Sequence, residues 1–474
     1  MWNDDNDMKT MRRMLLFIML LMTLAYTYAD IYVNPQVAKG PVKRMNATNN
    51  GPWRAGTDQV RDNFEDFRNA RIPFARTHDS SFCAEYGGEH VVDITAIFPD
   101  FSKDVNDPDS YDFTLTDIYL NNIYQAGAGI FFRLGQKIEH HPKKYGIMPP
   151  SDYKKWAQIC EHIIRHYNEG WANGVTGDNI LYWEIWNEPD LDGGDRWKTD
   201  PRTWGGSKEE FFKFYEIVAN HLNNCFPHLK IGGPAVCSDE VFAEEFLSYM
   251  SGHKVKMDFF SWHCYSNEPR DIMALADRMR ARMDKYGYTE AESILDEWNY
   301  NCGWTDTYPA SVRTMNDMKG AAFVATTIIG CQAHPVDMLM YYDAQPGMIF
   351  NALFDYITLA PKPAYYALYG WSNLRDLGTE VESTCDEKDI YATAAKDDAG
   401  NVGIFIARYN EDNNVIARKR VKIHVNGLTS GQKVIGHITD DYHLYTERPL
   451  IVTDDGCIEA WLEPHAFLMV EISK

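Results

Sequence analysis

Two apolar runs rich in aromatic residues each end in a glutamate. Residues 180–189, ILYWEIWNEP, carry Glu188 behind Asn187 and ahead of Pro189, and residues 293–299, SILDEWN, carry Glu297. Both runs have the length and composition of a buried strand, so each acid stands where a strand gives way to a loop. Two carboxyl groups roughly 5 to 5.5 Å apart can cleave an acetal by double displacement, one attacking carbon and the other donating a proton to the leaving oxygen. The donor has to stay protonated near neutrality, which apolar burial and a nearby second carboxylate both favour. Trp186 and Pro189 suit that demand, since the aromatic run buries the strand and the proline stiffens the turn that presents Glu188. Glu184 and Asp296 lie on the same runs and would take the roles if the register slipped. Glu184 suits a buried ion pair with an arginine such as Arg76 instead.

Holding two strand ends face to face requires a closed arrangement. Strand-like runs occupy residues 42–48, 72–78, 128–135, 180–187, 229–234, 257–265, 293–299 and 338–345. Helical patterns fill the gaps, among them residues 58–70, 152–167, 242–250, 272–286 and 318–331, and a run from Ser207 in which Ser207 and Glu210 have capping-box spacing. Eight strands alternating with helices predict an α/β fold, a (β/α)8 TIM barrel, because parallel strands need crossover helices and closure removes the edges. An open doubly wound sheet is the alternative, but no glycine-rich turn follows the first strand. Active sites of such barrels form at the C-terminal strand ends, and strands four and seven, which carry Glu188 and Glu297, lie across the mouth from one another. From about Leu377 short alternating strands with Gly, Asn and Asp turns predict a C-terminal antiparallel β-sandwich. The expected division is residues 1–29 as an export signal, 30–375 as the barrel and 376–474 as the sandwich.

The combination of WNEP on strand four, DEWN on strand seven and WHCY on strand six resembles the retaining (β/α)8 glycoside hydrolases, most closely glycoside hydrolase family 39, which contains β-xylosidases and α-L-iduronidases. The likeness extends to residues 76–78, 111–135, the helix opening at Asp152 and the GGP at 232–234. It implies that Glu188 is the general acid/base and Glu297 the nucleophile. It implies that Asn187 binds the hydroxyl next to the anomeric carbon, a contact that strengthens in the transition state. His263 and Tyr265 alternate onto one face of strand six, where Tyr265 could hold the nucleophile, and Arg76 and His78 share a face of strand two. Trp298 is a further candidate for the sugar pocket, and Trp197, Trp204 and Trp304 are other aromatics near the motifs. Strand eight offers Tyr341 and Tyr342 where a tryptophan platform is commoner, which leaves the floor of the site open.

Lys and Arg total 46 against 68 Asp and Glu, a formal net charge of −22 that repels phosphate backbones and anionic membranes. The expected partner is an oligosaccharide or polysaccharide, with no nucleic acid. Residues 1–29 place Lys9, Arg12 and Arg13 before an apolar run and small residues before Asp30, the pattern of a cleaved export signal with no membrane span left in the mature chain. Nine scattered cysteines without a CxxC pair argue against a disulfide framework or structural zinc, and no metal or cofactor is implied. The basic stretch 133–144, RLGQKIEHHPKK, is either a receiver for acidic sugars or a solvated loop. An exo-acting glycosidase is the leading reading, with an endo-acting glycanase and a non-catalytic carbohydrate-binding barrel as alternatives.

Overall fold

The computed structural model describes residues 28–53, 61–78, 90–174, 180–237, 239–429 and 431–473. Most of the expected export segment therefore lies outside the described residues, as does the start of the helix expected from residue 58.

The chain opens with β1 (Tyr28–Pro41) and then enters a closed parallel barrel of β2 (Arg44–Asn49), β3 (Phe74–Arg76), β4 (Gly129–Leu134), β5 (Tyr182–Ile185), β6 (Lys230–Val236), β7 (Phe259–Ser266), β8 (Glu292–Tyr300) and β9 (Met338–Tyr341). Closure comes from β2 pairing with β9, Arg44 opposite Met338. Each expected barrel strand is present, with ends shifted by a few residues. Ala47, Phe131, Tyr182, Phe259, Ile294, Met338 and Met340 plug the barrel interior, while the outward residues of the same strands join the layer beneath the helices. This two-sided burial is why the strands read as continuous apolar runs.

Ser207 and Glu210 form the expected capping box at the start of the helix Lys208–Cys225, and Asp152 caps the helix Tyr153–Glu169. The helix Met318–Gln332 is buried along nearly its whole length because one side lies on the barrel and the other on the C-terminal sheet. Helices Thr114–Gln125, Tyr308–Met315 and Pro363–Asp376 were not among the expected elements. The last begins with proline at its first turn and turns Tyr365, Leu368 and Trp371 inward.

The C-terminal domain corrects the expected boundaries. Its strands are β10 (Thr379–Cys385), β11 (Ile390–Lys396), β12 (Val402–Arg408), β13 (Lys419–Val425), β14 (Lys433–Asp440), β15 (His443–Pro449), β16 (Ile451–Val452), β17 (Cys457–Leu462) and β18 (Ala466–Ser473). With β1 they make one ten-stranded sheet, in which β1 runs antiparallel to β10 and parallel to β13. Residues 28–41, placed by sequence in the barrel or at its leader, belong to this sheet, which is therefore not purely antiparallel. Ala29, Ile31 and Val33 face its core and Tyr32 faces outward, the period-two pattern of a half-buried strand. That pattern identifies a strand but not its partners, which lie some 350 residues away in sequence.

Candidate active site

The site is built on β3, β5, β7 and β8. At the end of β5 the backbone twists sharply, with Trp186 at φ 76° and Glu188 at φ 48°, a left-handed conformation uncommon for side chains of this size. The turn is held by bonds to three neighbouring segments: Trp186 N donates to Leu134 O at 2.7 Å, Glu188 N to Ala235 O at 2.9 Å, and Thr203 Oγ1 to Glu188 O at 2.7 Å. Trp186 packs against Trp156, Trp204 and Phe214, so this tryptophan of the motif fixes the turn from beneath. Glu188 itself is 4% exposed.

A bulge does the equivalent work on β8. Trp262 stands opposite Leu295, but the next residue, His263, stands opposite Glu297, so Asp296 is an extra residue on β8. Such a bulge re-aims side chains. Here it lets Asp296 and Glu297 both face inward, between Leu295 and Trp298, which face the helices. Oxygens of Glu188 and Glu297 and a ring nitrogen of His263 lie within 4.8 Å of one another.

Each carboxyl has its own support. Tyr265 Oη donates to Glu297 Oε1 at 2.6 Å, and His78 Nε2 and an Arg76 nitrogen lie 3.3 and 3.4 Å from Glu297 Oε2. Burial and the charge of Glu297 push the Tyr265 hydroxyl well above its ordinary range, so it stays a donor. His263 Nδ1 lies 2.8 Å from Glu188 Oε1. Burial pushes the Glu188 carboxyl up, but the hydrogen bond and charge of His263 outweigh it and hold this acid below the usual carboxylate range. This departs from the sequence expectation, in which burial and the nearby second carboxylate both keep the acid protonated. Two residues on, burial and the neighbouring charge of Glu188 push Asp190 up to about 8, although it accepts from Cys237 N at 2.8 Å and Asp239 N at 3.2 Å.

Beneath these groups Arg76 is fully buried and reaches Glu184 at 2.7 Å, Asp296 at 3.1 Å and the Oδ1 atoms of Asn49 and Asn187 at 3.0 and 2.7 Å. Burial raises Glu184, but Arg76 and Ser261 hold it below the ordinary range, whereas burial and the charge of Glu184 push Asp296 well above it. Glu184 thus occupies the ion pair with Arg76 expected of it, and both rival acids sit below the mouth as partners of Arg76. Arg76 and His78 fix Asn187 Oδ1, at 2.7 and 3.3 Å, which turns the amide nitrogen away from them. Asn187 Nδ2 is buried and has no hydrogen-bond partner among the described residues.

Arg76, His78, Asn187, Glu188, His263, Tyr265 and Glu297 therefore converge. Trp298 does not. It points into the helix layer against Phe323 and Tyr341, because neighbours on a strand face opposite ways and Glu297 takes the inward face. Trp204 is buried under Trp186, and Trp197 lines a recess of about 360 Å³ behind Pro189 and Asp190. Tyr341 also faces outward, while Tyr342 meets His78 edge-on at 5.3 Å. In the basic stretch, Arg133 pairs with Asp93 at 3.0 Å, Lys144 with Asp200 at 3.1 Å, and Lys143 lies over the Tyr145 ring. Sequence reasoning missed Asn49 and Ser261, which brace Asp296 and Glu184. Asn49 ends the first barrel strand as Glu188 follows the fourth, so inspecting every strand end would have found it.

Among the described residues, two groups offer ligand-type atoms within 4.8 Å: Glu188, His263 and Glu297, and, between two outer helices, Glu161, His221 and Cys225. In both, hydrogen bonds already tie the histidine to a carboxylate, at 2.8 and 2.7 Å. The eight described cysteines carry free thiols, and Cys83 lies outside the described residues.

A closed parallel barrel whose strand ends oppose two braced carboxyl groups defines the barrel glycosidase class. Within it, the chain belongs to glycosyl hydrolases family 39, which it matches over residues 31–444. It is 27% identical over 263 residues to a β-xylosidase of Geobacillus stearothermophilus, a match that spans 49% of each chain, or about half the length of that relative. It is 24% identical over 371 residues to a β-xylosidase of Caldicellulosiruptor saccharolyticus, 72% of each chain. A glucosidase structure from Croceicoccus marinus superposes with a TM-score of 0.76 at 23% identity, covering 94% of this chain and 99% of that one. A monomeric β-xylosidase structure from Caulobacter crescentus CB15 does so with a TM-score of 0.67 at 16% identity, with the same coverage. At these identities the structural likeness speaks to the fold.

Proposed function

We propose that this protein is a retaining, exo-acting glycosidase of β-xylosidase type. The observation that carries the proposal is the pairing of Glu188 and Glu297, whose oxygens lie within 4.8 Å across the barrel mouth, each with a separate hydrogen-bond partner. That spacing suits direct attack better than it suits an intervening water. Glu297, oriented by Tyr265, His78 and Arg76, attacks the anomeric carbon; Glu188, which His263 holds below the ordinary carboxylate range and which therefore donates from its protonated fraction, gives a proton to the departing oxygen. The C–O bond to the leaving sugar breaks as the bond to Glu297 forms. Glu188, now ionised, takes a proton from water, whose oxygen attacks the same carbon and releases Glu297. Asn187 Nδ2, buried without a partner among the described residues, is available to the hydroxyl beside the anomeric carbon. The curated relatives named β-xylosidase support xylose as the glycone.

The proposal includes export. Residues 1–29 carry the basic and apolar segments of a leader, and cleavage before Asp30 would remove Tyr28 and Ala29 from the start of β1 while leaving the Asp30–His424 pair, 2.7 Å apart, in the sheet. N-terminal sequencing of the secreted protein tests this, and a chain that begins elsewhere would refute it.

The activity is tested with a panel of nitrophenyl xylosides, arabinosides, galactosides, glucosides and uronides, with Glu297→Ala as the blank. Release from the β-xyloside by the wild type alone is expected. Silence across the panel from folded protein, together with cleavage of a whole polysaccharide, would replace the exo reading with an endo one.

A further inference from the structure

Trp304 is a large apolar side chain left in the open beside the catalytic groups. Its indole is 59% exposed, whereas Glu297, Asn187, His78 and Arg76 are each 5% exposed or less. Exposed single aromatics are common and most are idle. This one is held as a rigid surface. Its ring meets Tyr265 edge-on at 5.0 Å, lies near-parallel to Tyr308 at 6.0 Å and touches Phe350 at 6.1 Å. The short loop after β8 that carries it is tied down by Asn301, whose Oδ1 accepts from Gly303 N at 3.0 Å and Ser311 Oγ at 2.8 Å. Gly303, at φ 146°, supplies the turn there, and an added Cβ would meet Thr307.

Tyr265, the ring against which Trp304 rests, is the residue that donates to the nucleophile at 2.6 Å. Trp304 is therefore one side chain removed from Glu297. The groups that would hold the attacked sugar form the closed end of the site, and Trp304 stands at the open end. A substrate whose terminal sugar fills the closed end must extend its next sugar outward past this ring. The C–H face of a pyranose is apolar and matches the flat face of an indole, a contact that excludes water without demanding hydrogen bonds.

The geometry points to Trp304 as the platform on which the leaving sugar stacks, next to the bond that breaks. This rests on the exo-glycosidase reading above. Trp304 acts in holding the leaving sugar and touches neither carboxyl group, so its removal slows only substrates that place a sugar there. It thereby favours oligosaccharides over substrates with small leaving groups.

The test compares kcat/KM for xylobiose, which places a sugar on Trp304, with that for β-xylosyl fluoride, whose leaving group is a single atom. Trp304→Ala should lower the value for xylobiose about tenfold, the factor worth about 1.4 kcal/mol, and leave the fluoride within about twofold. Trp304→Phe, which keeps a ring, should recover part of the loss. Trp461→Ala, on an exposed tryptophan of the C-terminal sheet, is the control and should change neither substrate. Equal losses on both substrates would make Trp304 a support for Tyr265 and overturn the platform. No loss on either would overturn it as well. If the wild type cleaves neither substrate, the xylosidase reading itself fails and the platform falls with it.

Discussion

Replacing Glu188 by alanine removes the proposed proton donor while leaving Glu297 with Tyr265, His78 and Arg76 in place. A positioned general acid contributes about 10²- to 10⁴-fold to a rate. Glu188 should lie in the upper part of that range. Its backbone is fixed at both ends, by Ala235 O at 2.9 Å and Thr203 Oγ1 at 2.7 Å, and at 4% exposure water has little access to stand in for it. The expected loss of kcat/KM on xylobiose is about 10³- to 10⁴-fold, or about 4 to 5.5 kcal/mol at 1.36 kcal/mol per decade. A dinitrophenyl xyloside departs as a stable phenolate and needs no proton, so its kcat/KM should fall less than about tenfold. Its turnover should nonetheless stall, because Glu188 is also the base that activates water in the second step. A burst of one phenolate per enzyme, followed by slow release, is the expected trace. Stopped-flow absorbance measures the burst, and steady-state assays on the two substrates measure the ratio. Losses on the two substrates within about threefold of each other would refute the acid/base role of Glu188.

The same geometry gives three further expected outcomes. Tyr265→Phe deletes a hydrogen bond to a charged group, worth about 1.5 to 3 kcal/mol, so kcat should fall by about tenfold to a hundredfold with little change in KM; a fall below threefold would make Tyr265 a packing residue. His263 holds the Glu188 carboxyl below the ordinary range, so His263→Asn should let that carboxyl rise, keep the acid protonated to higher pH and move the alkaline limb of the kcat/KM profile upward. A limb that stays or moves down would show that His263 does not set this ionisation. Trp298→Phe should cost about 1 to 3 kcal/mol of stability in urea by opening space in the helix layer, with KM unchanged; a raised KM at unchanged stability would return Trp298 to the sugar pocket.

The barrel was legible because its strands are buried on both faces and its helices on one, so hydrophobic period alone separates them. The two acids were legible for a related reason: a glutamate closing an apolar run stands where such barrels do their chemistry. The sequence by itself thus determined the eight-strand order, the residues at the strand ends and the inward pairs Arg76 with His78 and His263 with Tyr265. Features set by contacts between distant segments were beyond it. Only the tertiary structure decided that β1 joins the C-terminal sheet, because hydrogen bonding between strands leaves no local pattern in either one. Only it decided that Asp296 is a bulge residue, which turns Glu297 into the mouth and Trp298 out of it. It also decided the direction of the ionisation of Glu188, since burial pushes one way and a histidine 75 residues further along the chain, 2.8 Å away in space, pushes harder the other. Alternation along a strand is a property of the chain, whereas bulges, charges across a barrel and sheet partners belong to the folded molecule.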